Sequence, residues 1–314
     1  MEAITIRFAL YANLMVLFGW PLFALYGAHA INSRPSPRQL LLLALVAIGL
    51  SIFSMLAMTA SMAGVAILEA DRDLITAIMF DTPMGLAWQV RMAALAVMSG
   101  LVMMQRPAAQ LASVGLAAAA LASLAWTGHG AAGEAVTGWV QLTADIVHLL
   151  AAGGWIGALA ALGLLLARGL RLARGASRFT LPLAPHVTAA DFTAMHHALA
   201  GFSKAGTLFV GLLVVTGTVS SWILVGPQGA TLAATSQYVQ LLAVKLALFA
   251  AMIGLAAMNR FRLTPALSRD LNAGFVPLGS LRALHRSVVI ETGLAALVLA
   301  IVAWLGTIVP PVAL

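Results

Sequence analysis

Eight stretches of the sequence are apolar over about twenty residues or more, which is the length that an α-helix needs to cross the hydrocarbon core of a bilayer. They cover residues 4–31, 38–64, 83–105, 108–127, 137–167, 202–225, 238–260 and 287–310. The chain is 62% apolar and 9% charged, whereas soluble domains are about 45–50% apolar and about 25% charged. This composition excludes a cytosolic enzyme, a secreted disulfide scaffold and a disordered protein. The sequence therefore predicts an all-α, polytopic transmembrane bundle of eight helices, with residues 1–314 forming a single integral membrane domain.

Most of the 17 basic residues lie in the odd-numbered connections between these stretches, whereas the even-numbered connections are acidic. Because cytoplasmic loops of membrane proteins are enriched in lysine and arginine, the odd connections are predicted to be cytoplasmic and both termini periplasmic, in a bacterial inner membrane. The same rule accounts for the net charge of +7, so we expect no nucleic-acid partner.

Two connections are long enough to contain structure of their own. The acidic outer connection is predicted to include a short helix over 71–79, with Asp71 as its N-cap. The inner connection, 169–201, begins beside Arg168, Arg171 and Arg174, whose spacing of three places them on one helix face. That face either contacts anionic lipid headgroups or only anchors the topology.

Polar residues inside predicted spans are costly to bury and often mark function. Asp145 and His148 are three residues apart, so they share a face of the fifth span, while Arg91 and Lys245 lie at comparable depth in the third and seventh. The carboxylate could orient the imidazole, or both could point into one cavity. Alternatively, Asp145 forms a structural salt bridge with Arg91 or Lys245, and His148 is a packing histidine.

A stripe of methionines follows the outer half of the second span. Met55, Met58 and Met62 are spaced by three and four residues, which places their thioethers on one helix face. Such stripes are common adaptable core filler, but thioether sulfur also selects Cu(I), and imidazole accepts copper in either oxidation state. Because the chain has no cysteine, these methionines and His129, at the outer end of the fourth span, are the candidate soft ligands. Glu134 follows shortly after His129.

Three groups of motifs over about residues 127–267 resemble the copper-resistance protein D (CopD) family of bacterial inner-membrane proteins. They are Thr127-Gly128-His129-Gly130 followed by the run at 145–159, Phe202-Ser203 with Gly217, and Tyr238 with Lys245 before Asn259-Arg260 and Pro265. The resemblance implies copper handling without enzymatic activity, movement of copper from periplasm to cytoplasm, and a periplasmic copper-binding partner of the CopC type. It also implies a set of family-type residues: His129, Asp145, His148, Trp155, Lys245, Asn259 and Arg260. Trp155 stands in a glycine-rich run, so a pure packing role is the alternative for it.

We therefore expect copper, with Cu(I) favoured over Cu(II), to enter from the periplasmic face and to exchange among His129, the methionine stripe and His148. Asp145 would compensate the charge of the ion, and Arg91 and Lys245 would balance the empty site. Two alternatives remain open at this point. The protein could carry electrons through b-type haem held by paired histidines, for which the candidates are His29, His129, His148 and His285. Alternatively, it could be a membrane scaffold for a periplasmic copper-binding protein.

Overall fold

The computed structural model describes residues 2–27, 34–66, 71–104, 106–127, 135–176, 189–226, 231, 236–274 and 276–311. Within these ranges the chain is helical and contains no strand. Eight of the helices are long and apolar enough to cross a membrane, which confirms the predicted all-α bundle. The helices are α1 Glu2–Tyr26, α2 Pro37–Ala63, α3 Arg72–Asp81, α4 Pro83–Val102, α5 Pro107–Ala122, α6 Ala135–Ala176, α7 Ala189–Val225, α8 Gln237–Met258, α9 Thr264–Asn272 and α10 Leu278–Leu305. A 3-10 turn, Ser123–Thr127, extends α5, and a π-helical turn, Asn259–Leu263, joins α8 to α9.

Local sequence signals explain several helix starts. Ser36 caps α2 in a reciprocal capping box with Gln39, and proline occupies the first turn of α2, α4 and α5, where its missing N–H is not needed. The predicted outer helix is present as α3, and its N-cap is Asp71, whose carboxylate accepts from the backbone N–H of Asp73. The short helix and its cap are therefore confirmed.

The long helices extend beyond the predicted spans at the arginine-rich side. The predicted inner connection, 169–201, is itself helical over much of its length, because α6 continues to Ala176 and α7 begins at Ala189. Arginine is a good helix former, and its aliphatic stem can lie along apolar surface while the guanidinium reaches polar surroundings. The charges at Arg168 and Arg171 therefore mark where the apolar span ends but do not end the helix.

Arg7 identifies one end of the bundle. Its guanidinium donates to the carbonyl oxygens of Gly306, at 2.7 Å, and of Thr127, at 3.0 Å. These bonds bring together the start of α1, the end of the 3-10 turn and the end of α10, so we call this side the termini end. The last turns of α6 and the first turns of α10 lie at the opposite side, which we call the basic end. It carries the arginines Arg168, Arg174, Arg260, Arg282 and Arg286.

Helices α1 and α6 cross at very close range between the two apolar cores of the protein. Gly19 of α1 lies against Gly153 and Gly157 of α6 so tightly that a Cβ on Gly19 or Gly157 would overlap the backbone of the facing helix. Small residues four apart permit such contact between membrane helices. One apolar core surrounds Trp155 and the α6–α7–α10 packing, and a second lies among α1, α4 and α5. The glycine crossing fixes α6 between them.

Candidate functional site

A cavity of about 630 Å³ lies between α1, α6, α7, α8 and α10, toward the termini end. We call it the upper cavity. Most of its wall is apolar, but His148 of α6 and Lys245 of α8 line it, together with the residues Met15 and Met252. Of the histidines in the described ranges, His148 alone borders this space. The cavity therefore combines one imidazole, two sulfur atoms and one cation in apolar surroundings.

The hydrogen bonds of His148 determine which ring nitrogen is available. Nδ1 lies 2.9 Å from Oγ1 of Thr216 on α7, and that hydroxyl donates its single hydrogen to the backbone carbonyl of Leu212 at 2.6 Å. Because Thr216 has no second hydrogen to give, its oxygen accepts from Nδ1–H of the histidine. The ring is then the tautomer with an unprotonated Nε2. This arrangement, with Nδ1–H fixed by an outer partner, is the one that metal-ligating histidines adopt.

Asp145 and His148 face α7 together, as their spacing predicts. Asp145 accepts a hydrogen bond from Ser220 at 3.1 Å, one helical turn from the contact between His148 and Thr216. Lys245 of α8 lies close enough to attract the Asp145 carboxylate electrostatically. The sequence analysis named two cations as possible partners of Asp145. In the structure, Lys245 is the one that interacts with it electrostatically.

Arg91 lies in a different part of the bundle. It is on α4, 3% exposed, beside Tyr11 of α1, and its Nε and Nη1 have no hydrogen-bond partner in the described structure. The interpretation of Arg91 as the salt-bridge partner of Asp145 is therefore wrong. The reason is the helix packing, because α4 makes its main contacts with α2, α3, α5 and the 3-10 turn that extends α5, and α6 and α7 are not among these main partners.

The methionine stripe on α2 does not reach the upper cavity. α2 packs against α1 and α4, Met55 is buried in that contact, and Met62 is 69% exposed at the helix end. The structure therefore does not bring the stripe, which also includes Met58, to His148. Met252 does line the cavity, and a sequence signal for it existed, because it follows Lys245 by seven residues and so shares its helix face.

A second, smaller cavity of about 190 Å³ lies between α6, α7, α8 and α10 nearer the basic end. We call it the lower cavity. Trp155 borders both cavities; its ring packs edge-on against Phe249, and its indole N–H donates to Glu291 of α10 at 2.8 Å. Trp155 therefore does more than fill space. Glu291, 1% exposed, was missed by the sequence analysis, although it is the single carboxylate within the α10 span.

Two predicted site residues, His129 and Glu134, lie outside the described residues, as does His29, one of the histidines considered for haem. Across the ranges that the structure describes, no group of three or more His, Asp or Glu side chains is placed to hold a metal ion.

Comparison with known proteins gives three matches. Residues 2–139 match the family model for the copper resistance protein D-like N-terminal domain, and residues 196–305 match the model for copper resistance protein D. The chain is also 38% identical over 323 residues to copper resistance protein D from Pseudomonas syringae pv. tomato, covering 98% of this chain and 96% of that protein. These matches confirm the family resemblance seen in the motifs.

Proposed function

Because this chain belongs to the copper resistance protein D family, we propose that it carries copper ions across the membrane through the upper cavity. The family supports a role in copper resistance or homeostasis, and the eight apolar helices make this a multi-pass membrane protein. In this proposal copper is the cargo, and the protein acts as a carrier rather than as an enzyme.

The observation that carries the proposal is the position of His148 in the cavity wall, where its Nδ1 lies 2.9 Å from the Thr216 hydroxyl and its Nε2 is left to bind a metal ion. Met15 and Met252 supply thioethers in the same cavity. Imidazole nitrogen and thioether sulfur together favour Cu(I) over harder cations. The apolar wall strengthens this preference, because it excludes the water that would compete as a ligand.

The charged side chains in and around the cavity, Lys245 and Asp145, favour reversible binding of a cation. Lys245 borders the cavity, and its positive charge interacts with the carboxylate of Asp145. When a copper ion binds near His148, the Asp145 carboxylate offsets the added positive charge, and Lys245 weakens the hold on the ion. A site of this kind binds copper without trapping it, as transport requires.

We further propose that copper enters at the termini end, with both termini in the periplasm of a bacterial inner membrane. The arginines at the basic end support a cytoplasmic location for that end, and their side chains can contact anionic lipid headgroups. A periplasmic copper-binding protein of the CopC type is the proposed donor. The acidic helix α3 and its cap Asp71 would attract cations to this face.

The size of the upper cavity favours b-type haem as the second candidate, because about 630 Å³ is far more space than one copper ion needs. If haem were bound here, His148 together with Met15 or Met252 would hold its iron. An absorption spectrum of the purified protein distinguishes the two candidates, since haem gives a Soret band and copper alone does not.

The copper proposal is tested by Cu(I) titration of purified protein against a competing chelator. His148→Ala should weaken Cu(I) binding by about 100-fold or more, because changing even an outer partner of a metal-binding histidine costs about 10–100-fold. His285→Ala is the matched control, since His285 lies in the first turns of α10 at the basic end and its loss should leave binding unchanged. Equal affinity of the folded His148→Ala variant and the wild type would contradict the proposal.

A further inference from the structure

The lower cavity contains a carboxylate whose hydrogen bonds come from neutral groups. Oε1 of Glu291 accepts from the indole N–H of Trp155 at 2.8 Å, and Oε2 accepts from Nδ2 of Asn259 at 3.2 Å. Arg260 is the other charged side chain among the described residues lining this cavity, and its guanidinium donates to α7, at the backbone oxygen of Ser203 and the hydroxyl of Thr207. α6, α7, α8 and α9 add no further titratable group to the wall.

A buried carboxylate in such surroundings needs either a proton or a cation to offset its charge. The other oxygen atoms within reach are hard donors, and neither sulfur nor imidazole lines the lower cavity in the described structure. Cu(I) prefers soft ligands. The chemistry of the cavity therefore favours a proton over the copper ion.

Asn259 is able to accommodate Glu291 with or without a proton. Its Nδ2 donates to the carboxylate, while its Oδ1 is buried without a hydrogen-bond partner in the described structure. A half-turn of the amide exchanges the two atoms, so that Oδ1 faces Oε2 and accepts a hydrogen bond from a protonated carboxyl group. One side chain can thus pair with both protonation states.

The lower cavity reaches the surface of the bundle near the basic end. Phe261, 70% exposed, lines the lower cavity beside Arg260, within a π-helical turn of the kind often found at functional sites. Ser287 lies four residues before Glu291 on the same face of α10, one turn nearer the basic end. Its hydroxyl is buried without a partner in the described structure, so it is available to pass a proton.

We propose that Glu291 is a proton-binding site of this protein, loaded from the basic end through the lower cavity, and that it exchanges its proton as copper moves through the upper cavity. The coupling, though not the proton site itself, rests on the proposed copper transport. Trp155 links copper binding to proton exchange, because it borders both cavities and its indole N–H donates to Oε1 of Glu291. A cation near His148 favours the ionised carboxylate across a medium of low dielectric constant. The proton then leaves Oε2 for water at the basic end, and Trp155 and Asn259 hold the resulting carboxylate.

The proton site is tested by infrared difference spectroscopy of the copper-free protein after a change of pH. The wild type should show a carboxylic-acid C=O band that is absent in Glu291→Gln, whose amide keeps the size of the side chain. Asp270→Asn is the matched control, since Asp270 is a carboxylate at the basic end that pairs with Ser280 outside the cavity; it should retain the band. Asn259→Leu should retain the band at a shifted frequency, because the carboxyl group loses its partner. A band that persists in Glu291→Gln, or that is unshifted in Asn259→Leu, would overturn the proton site.

The coupling is tested in proteoliposomes with a pH-sensitive dye and added Cu(I). The wild type should release protons as copper moves, whereas Glu291→Gln should bind Cu(I) within about twofold of the wild type and lose that proton signal. Equal proton release in the two proteins would overturn the coupling. If His148→Ala still binds copper normally, the proposed copper site fails, and the infrared result on Glu291 is unaffected, so the two failures are distinguishable.

Discussion

The upper and lower cavities lie between the same four helices, α6, α7, α8 and α10, but they offer different chemistry. The upper cavity presents imidazole nitrogen, two thioethers and a lysine, whereas the lower cavity presents a carboxylate, an amide and hydroxyl groups. Soft donors suit Cu(I), and oxygen donors suit a proton or a hard cation. One helical framework would thus hold the proposed site for soft metal ions apart from the proposed proton site.

The two cavities are lined by residues that repeat every seven positions along the same helices. Lys245 and Met252 of α8 and Asn259, which begins the π-helical turn after it, follow one another at intervals of seven residues and lead from the upper cavity to the lower. On α6, His148 and Trp155 are also seven apart, which places them about 10 Å apart along the helix axis. The difference in chemistry therefore arises from single residues on continuous helix faces.

The first way to sharpen this comparison is Thr216→Val, which keeps the shape of the side chain and removes the acceptor for Nδ1–H of His148. Copper affinity should fall by about 10–100-fold, as it does when an outer partner of a ligating histidine is lost. Thr218→Val is the matched control, because Thr218 lines the same cavity and makes the same bond to its own helix, to the backbone carbonyl of Val214, whereas the hydroxyl beside Nδ1 of His148 is that of Thr216. The measurement is the Cu(I) titration against a chelator. A fall in affinity shared equally by both variants would show that the tautomer of His148 does not matter.

A smaller effect on copper is expected from Trp155→Phe, which removes the indole N–H and leaves Oε1 of Glu291 without its donor. Leaving a buried acceptor unpaired costs about 1–3 kcal/mol of stability, so the thermal unfolding temperature in detergent should fall. Copper affinity should stay within about twofold of the wild type, because an aromatic ring still separates the cavities. The opposite result, normal stability with weakened copper binding, would contradict the division of roles between the cavities.

Much of the fold follows from local signals, whereas the site does not. The apolar spans, the cap at Asp71 and the shared face of Asp145 and His148 can be predicted from residues close in sequence. The bond between His148 and Thr216 joins positions 68 residues apart, and the bond between Trp155 and Glu291 joins positions 136 apart. Such contacts depend on which helices become neighbours. That dependence also explains why Arg91 and the stripe at Met55 were assigned to a site that α2 and α4 do not approach.

The central claim, that His148 and thioether sulfur bind Cu(I) in the upper cavity, is tested most directly by X-ray absorption at the copper edge. The Cu(I)-loaded wild type should show one imidazole nitrogen together with sulfur scatterers. Met252→Leu should lose a sulfur scatterer, and Met58→Leu, on the stripe of α2, should leave the spectrum unchanged, because the swap conserves volume in both places. A copper environment of oxygen alone, or a sulfur signal lost in Met58→Leu and kept in Met252→Leu, would contradict the account.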